Sequence, residues 1–201
     1  MRWSLVGFAY GLLGIGALLA ASWRGVSPWT HPHPILSLGS GLEQGTYSAL
    51  VGIAVAGLIV MTTRALVGRV AFATKLHSEL RPLAYRMSTG IIVILALSSA
   101  FGEELLFRGL LQPWIGLFVQ AFIFGSLHQV GGSSRWVWMT FATLMGLIFG
   151  GMYACTGSLV GPLISHALIN AINLAHLRNF DPHPEPRRLG GLLSLGNHRS
   201  R

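Results

Sequence analysis

Residues 136–177 read WVWMTFATLMGLIFGGMYACTGSLVGPLISHALINAINLAHL, without one Asp, Glu, Lys or Arg between Arg135 and Arg178. Crossing a bilayer takes about 20 mostly apolar residues in a helix, so this run holds two spans joined at Thr156-Gly157. Working outward, residues 3–23, 44–63, 87–102 and 109–134 are equally free of charged side chains. Spans are expected at about 4–22, 45–63, 87–112, 114–134, 136–155 and 158–177. The fold class is therefore all-α, a polytopic transmembrane helix bundle of about six spans.

Composition agrees. Only 10% of the 201 residues are charged and the mean hydropathy is +0.59, whereas a soluble domain carries roughly 25% charged residues. The net charge of +8 does not indicate nucleic acid. The basic residues lie between spans, where positive charge sets topology, and are not interleaved with aromatics on a soluble face. Arg64, Arg69, Lys75, Arg81 and Arg86 follow the second span, and Arg178, Arg187, Arg188, Arg199 and Arg201 follow the sixth. By the positive-inside rule both termini are cytoplasmic. Cys155 is the only cysteine, which excludes an internal disulfide framework and a cysteine-based zinc cluster.

Residues 1–178 are expected to form the membrane domain, with its first helix retained and not cleaved as a signal peptide, and 179–201 a basic, mobile cytoplasmic tail. Residues 70–86 read either as an interfacial amphipathic helix broken at Pro82 or as a basic connector. Gly7 with Gly11, and Gly146 with Gly150, have the four-residue spacing that lets membrane helices approach closely.

Ionisable groups at membrane depth are expensive and mark function. Here they are Glu103, Glu104 and Arg108 in the third span, His128 in the fourth, and His166 with Asn170 in the sixth. Proline disrupts a helix interior, so the Gln112-Pro113 step is taken as the outer turn. At 1.5 Å per residue, Glu103 then lies about 15 Å below that turn, His128 about 21 Å, His166 about 13 Å and Asn170 about 19 Å. All four fall around the middle of a core roughly 30 Å thick. Glu104 and Arg108 are four apart, acid first, the favourable order for an ion pair. Glu103 points about 100° away around the helix and is left as the available base. His166 and Asn170 share a face and can aim two donors at one point. Phe124 stands one turn before His128, where its ring can limit the imidazole's rotamers.

These residues resemble a known family. Glu103-Glu104-Leu105-Leu106-Phe107-Arg108 matches EExxxR, Phe124 to His128 matches FxxxH, and His166 to Asn170 matches HxxxN. In this order, on hydrophobic helices, they are the motifs of the CPBP intramembrane proteases, which include type II CAAX prenyl endopeptidases; the resemblance covers about 87–177. It implies hydrolysis of a peptide bond in a membrane-associated protein or peptide. Glu103 would activate water, His128 would hold or polarise it, His166 and Asn170 would stabilise the oxyanion, and Glu104 with Arg108 would support the site. The implied setting is a bacterial inner (plasma) membrane, with membrane lipid and a membrane-anchored substrate as partners and no nucleic acid.

No cofactor is expected. Zinc is the mechanistic alternative, held by Glu103, His128 and His166, although the chain lacks a paired HExxH motif on one helix. The competing functions are a non-catalytic membrane scaffold or bacteriocin-immunity-type protein that keeps the fold, and a proton or ion carrier built on the same buried Glu–His set.

Overall fold

The computed structural model describes residues 3–36, 38–39 and 41–183. In chain order the helices are α1 (Trp3–Trp23), α2 (Gly41–Leu66), α3 (Ala71–Ala84), α4 (Thr89–Glu104), α5 (Gln112–Ile115), α6 (Leu117–Leu127), α7 (Arg135–Thr156) and α8 (Val160–Asn179). A turn of π-helix, Leu105–Leu111, joins α4 to α5 without a break. A chain in lipid must satisfy its backbone internally, and helices of apolar residues do so.

Five helical stretches are long and apolar enough to cross a membrane: Trp3–Trp23, Gly41–Leu66, Thr89–Ile115, Arg135–Thr156 and Val160–Asn179. The sixth expected span is different. Helix α6 covers Leu117–Leu127 only, a rise of about 16 Å, roughly half the hydrocarbon thickness. The charge-free run reaches residue 134, but charge does not decide helicity. His128 leaves the helical region (φ −83°, ψ 79°), and the Gly131-Gly132 pair that follows disfavours a further turn. Non-helical backbone at such depth is tolerated where protein covers it or it lines a cavity.

Two expected breaks also move. The reversal between α5 and α6 falls at Gly116 (φ 83°, ψ 167°), not at Gln112-Pro113. Proline here occupies the first turn of α5, directly after the π-helical turn; the wider i→i+5 pairing there, with Gln112 N–H bonded to the Phe107 carbonyl, absorbs the lost donor. Likewise Pro82 sits inside α3, which continues to Ala84, because a proline in the final turn removes only one bond. His77 is buried on α3, with Nε2 3.0 Å from the Phe180 carbonyl.

Helix α8 packs most extensively on α2 and next on α4; α1 lies against α4, and α6 against α7. Close approach depends on small residues. A Cβ at Gly52 would run into the Gly161 backbone, and Ser48 Oγ accepts the Gly161 N–H at 2.9 Å. A Cβ at Gly146 would meet Ala121, and one at Gly150 would meet Gln112 and Gln120. Gly7 touches Ile94 and Ser98, whereas Gly11 has open space around it and does not serve packing. Helix α7 ends at Gly157 in the left-handed conformation (φ 73°), the usual glycine stop. The segment after α1 lies over this α7–α8 turn: His31 N–H donates to the Gly157 carbonyl at 2.9 Å, and Trp29 O accepts from Leu159 N at 3.0 Å.

Of the expected tail, Asn179 still belongs to α8, Phe180 O accepts from Arg81 Nε at 3.1 Å, and Asp181 pairs with Arg81 at 3.3 Å. Residues 184–201, with Arg187, Arg188, Arg199 and Arg201, lie outside the described residues.

Candidate active site

Glu103 lies 14 residues into the continuous Thr89–Ile115 helix, about 21 Å from one end and 18 Å from the other. It is 6% exposed, while Glu104 and Arg108 are wholly buried. The expected ion pair is formed: Arg108 Nη1 donates to Glu104 Oε1 at 2.8 Å. The guanidinium is otherwise enclosed by rings, 4.4 Å from the Phe124 centroid and 5.3 Å from that of Phe149. Such contacts favour a cation, most of all when it is desolvated.

Three side chains from three helices converge. Glu103 Oε2 is 3.7 Å from His128 Nε2 and 3.7 Å from His166 Nε2. Each imidazole is held from behind. His128 Nδ1 lies 2.7 Å from the Phe124 carbonyl, and the Phe124 ring packs on it at 4.3 Å. His166 Nδ1 lies 2.7 Å from Glu104 Oε1, and Phe149 stacks on the ring at 5.4 Å. The early end of α6 is what delivers His128 to this point, since residue 128 caps that helix from its non-helical position.

The rear contacts fix the tautomers. A carbonyl or a carboxylate can only accept, so both Nδ1 atoms carry hydrogen. Both Nε2 atoms then face Glu103 as lone pairs in the neutral rings. Three acceptors pointing at each other are stable only if a proton is shared among them or a molecule between them supplies donors. Glu103 Oε2 is buried with no hydrogen-bond partner of its own. With Glu103 and Glu104 ionised and Arg108 charged, the cluster carries one net negative charge. One imidazolium proton cancels it.

Asn170 sits apart. Its Nδ2 donates to Ser99 Oγ at 3.1 Å, one turn before Glu103 on α4. His166 and Asn170 therefore share a face as expected, with His166 reaching Glu103 and Asn170 its neighbour Ser99. Sequence reasoning did not single out Ser99 or Phe149. Ser99 could have been found as the polar residue one turn before Glu103. Phe149 carries no local signal, because it meets the site only through helix packing.

Imidazole and carboxylate are zinc-binding donor types, yet among the described residues no group of three His, Cys, Asp or Glu side chains is spaced to hold a metal ion.

Residues 86–172 match the family described as type II CAAX prenyl endopeptidase Rce1-like. The chain is also similar to a Bacillus subtilis (strain 168) protein described only as the uncharacterized protein YpbD. The two are 39% identical over 87 residues, which is 43% of this chain and 46% of that one. The match thus spans about half the length of that curated relative. No solved structure matches. The Rce1-like stretch runs from just before α4 to within α8, and it contains Glu103, Glu104, Arg108, Phe124, His128, His166 and Asn170. The resemblance carried by the three short motifs therefore holds over the whole stretch that builds the site.

Proposed function

We propose that the protein is an intramembrane endopeptidase that hydrolyses a peptide bond of a membrane-associated protein or peptide. The observation that carries this reading is the convergence of Glu103, His128 and His166 at 3.7 Å near the middle of the bundle, inside a stretch similar to type II CAAX prenyl endopeptidases. Hydrolysis of an amide needs a base for water, a donor for the carbonyl oxygen and a proton for the leaving nitrogen. The cluster offers one of each.

Glu103 takes a proton from water as its oxygen bonds to the scissile carbonyl carbon. The carbonyl π electrons move to oxygen, and a protonated Nε2 of His166 or His128 donates to that oxyanion. Glu103 then returns its proton to the leaving nitrogen as the carbon–nitrogen bond breaks. Glu104 acts from behind: it orients His166 and balances its charge, and Arg108 holds Glu104. Asn170 acts only at a remove, through its bond to Ser99 one turn before Glu103. No step requires a metal. Both termini lie on the cytoplasmic side, with α3 and its basic residues at that surface, in a bacterial inner membrane.

A fold-retaining scaffold or immunity protein would not need these groups arranged as a reacting set; buried like this, three facing acceptors cost stability unless they have a use. The test is cleavage of membrane-tethered peptides by protein reconstituted in liposomes, run in ¹⁸O-water and read by mass spectrometry. Hydrolysis predicts one ¹⁸O atom in each new C-terminus. Intact peptides, while the protein remains folded, would favour the scaffold.

A further inference from the structure

Helix α1 lies outside the Rce1-like stretch, yet it reaches the reacting set. Two glycines bring it there. Gly14 faces the Phe101 ring, and Gly102 faces the backbone carbonyl of Tyr10, with no room for a Cβ at either position. The residue after Gly102 is Glu103. With the backbones this close, Tyr10 stands beside the residue that precedes Glu103, on the side of α4 from which its hydroxyl can be felt by the Glu103 carboxylate. Tyr10 is the polar exception on a helix that is otherwise apolar up to Ser22, apart from Ser4. Polar atoms of this kind are costly in lipid unless they have a partner.

We propose that Tyr10 is a positioning residue for Glu103: its hydroxyl donates to the carboxylate and fixes the rotamer that turns Oε2 toward His128 and His166. The inference deepens the hydrolase reading and rests on Glu103 being the base. The physical ground is that Oε2 lacks a hydrogen bond, while the two imidazoles present lone pairs to it unless protonated. Nothing on that side holds the carboxylate before substrate and water arrive. A charge-assisted bond from Tyr10 supplies the missing restraint. It also gives α1 a role that sequence similarity over 86–172 cannot show: the helix closes the site and orients its base.

The test compares wild type with Tyr10→Phe, which keeps the ring and its packing and removes only the oxygen. Infrared difference spectra identify the Glu103 carboxylate band as the one lost in Glu103→Gln and displaced by ¹³C-labelled glutamate. In Tyr10→Phe that band should shift while the thermal unfolding midpoint stays near wild type. With the cleavable peptide, kcat should fall about tenfold, the effect of a displaced base, with KM unchanged. In the Glu103→Gln background the same substitution should cost nothing further, because Tyr10 acts only through that carboxylate. An unshifted band would overturn the proposal, as would a shifted band with wild-type kcat. Wild-type cleavage by Glu103→Gln would overturn the base and with it this role for Tyr10, and the infrared band then separates that failure from an absent hydrogen bond.

Discussion

Glu104 Oε1 accepts from His166 Nδ1 at 2.7 Å, and the same oxygen accepts from Arg108 Nη1 at 2.8 Å. One carboxylate thereby links α8 to the α4 helix and sets the tautomer of an imidazole that faces Glu103. In the proposed reaction the adjacent glutamates therefore have separate work: Glu104 is structural and electrostatic, and Glu103 is the base.

Their variants should differ accordingly. Glu104→Gln leaves Arg108 buried against a neutral partner, and breaking a buried pair costs about 3–5 kcal/mol. The protein should unfold at markedly lower temperature in detergent, whereas Glu103→Gln should melt close to wild type. Thermal unfolding followed by circular dichroism checks this. Equal melting of the two variants would contradict the division of roles.

Packing of α2 on α8 should be equally sensitive. A side chain at Gly52 has to enter the Gly161 backbone, so Gly52→Leu should destabilise by about 3 kcal/mol or separate the helices, the upper end for overpacked sites. Gly11→Leu, with open space around it, should be close to neutral. Cross-linking between cysteines placed on α2 and α8 would report the first effect.

A pH effect is expected at the loop that carries His128 onward. Ser133 Oγ donates to Glu79 Oε1, and Ser134 N–H donates to Oε2, each at 3.1 Å. Hydrogen bonds from Ser134, then from Ser133, with the Lys75 charge nearby, hold the Glu79 carboxyl below its usual range. A depressed carboxylate contributes fully above its unfolded pKa, about 4.3, and the contribution is lost as pH falls through the folded value. Hydrogen exchange in residues 129–134 should therefore speed up, relative to the intrinsic rate, on acidification below that range. Glu79→Gln should show the faster exchange already at neutral pH. No change in the variant would remove the anchoring role.

The reaction is proposed to run without metal. Strong chelators should leave the cleavage rate unchanged, and elemental analysis of active protein should find far less than one zinc per chain. Stoichiometric zinc together with chelator inhibition would replace Glu103-activated water with a metal mechanism.

Much of the site was legible because its residues repeat at helical spacing on charge-free stretches, where a carboxylate or imidazole stands out. Glu104 and Arg108 at i and i+4, and Phe124 and His128 at the same spacing, needed no tertiary information. What failed was set by local backbone chemistry that hydropathy does not register. Pro113 was read as the break because prolines end helices, but the π-helical turn before it absorbs the defect and Gly116 reverses the chain. The apolar run through residue 134 looked like a full span, but the chain leaves the helix at His128. Tyr10 was invisible for another reason: the role proposed for it depends on Gly102 letting α1 approach α4.

The most direct test is the single-turnover cleavage rate of Glu103→Gln against wild type, in liposomes, on a membrane-tethered peptide the wild type cuts. Removing the base should slow the reaction by about 10²–10⁴-fold with the protein folded and the peptide still bound. A rate equal to wild type would show that water is activated by some other group.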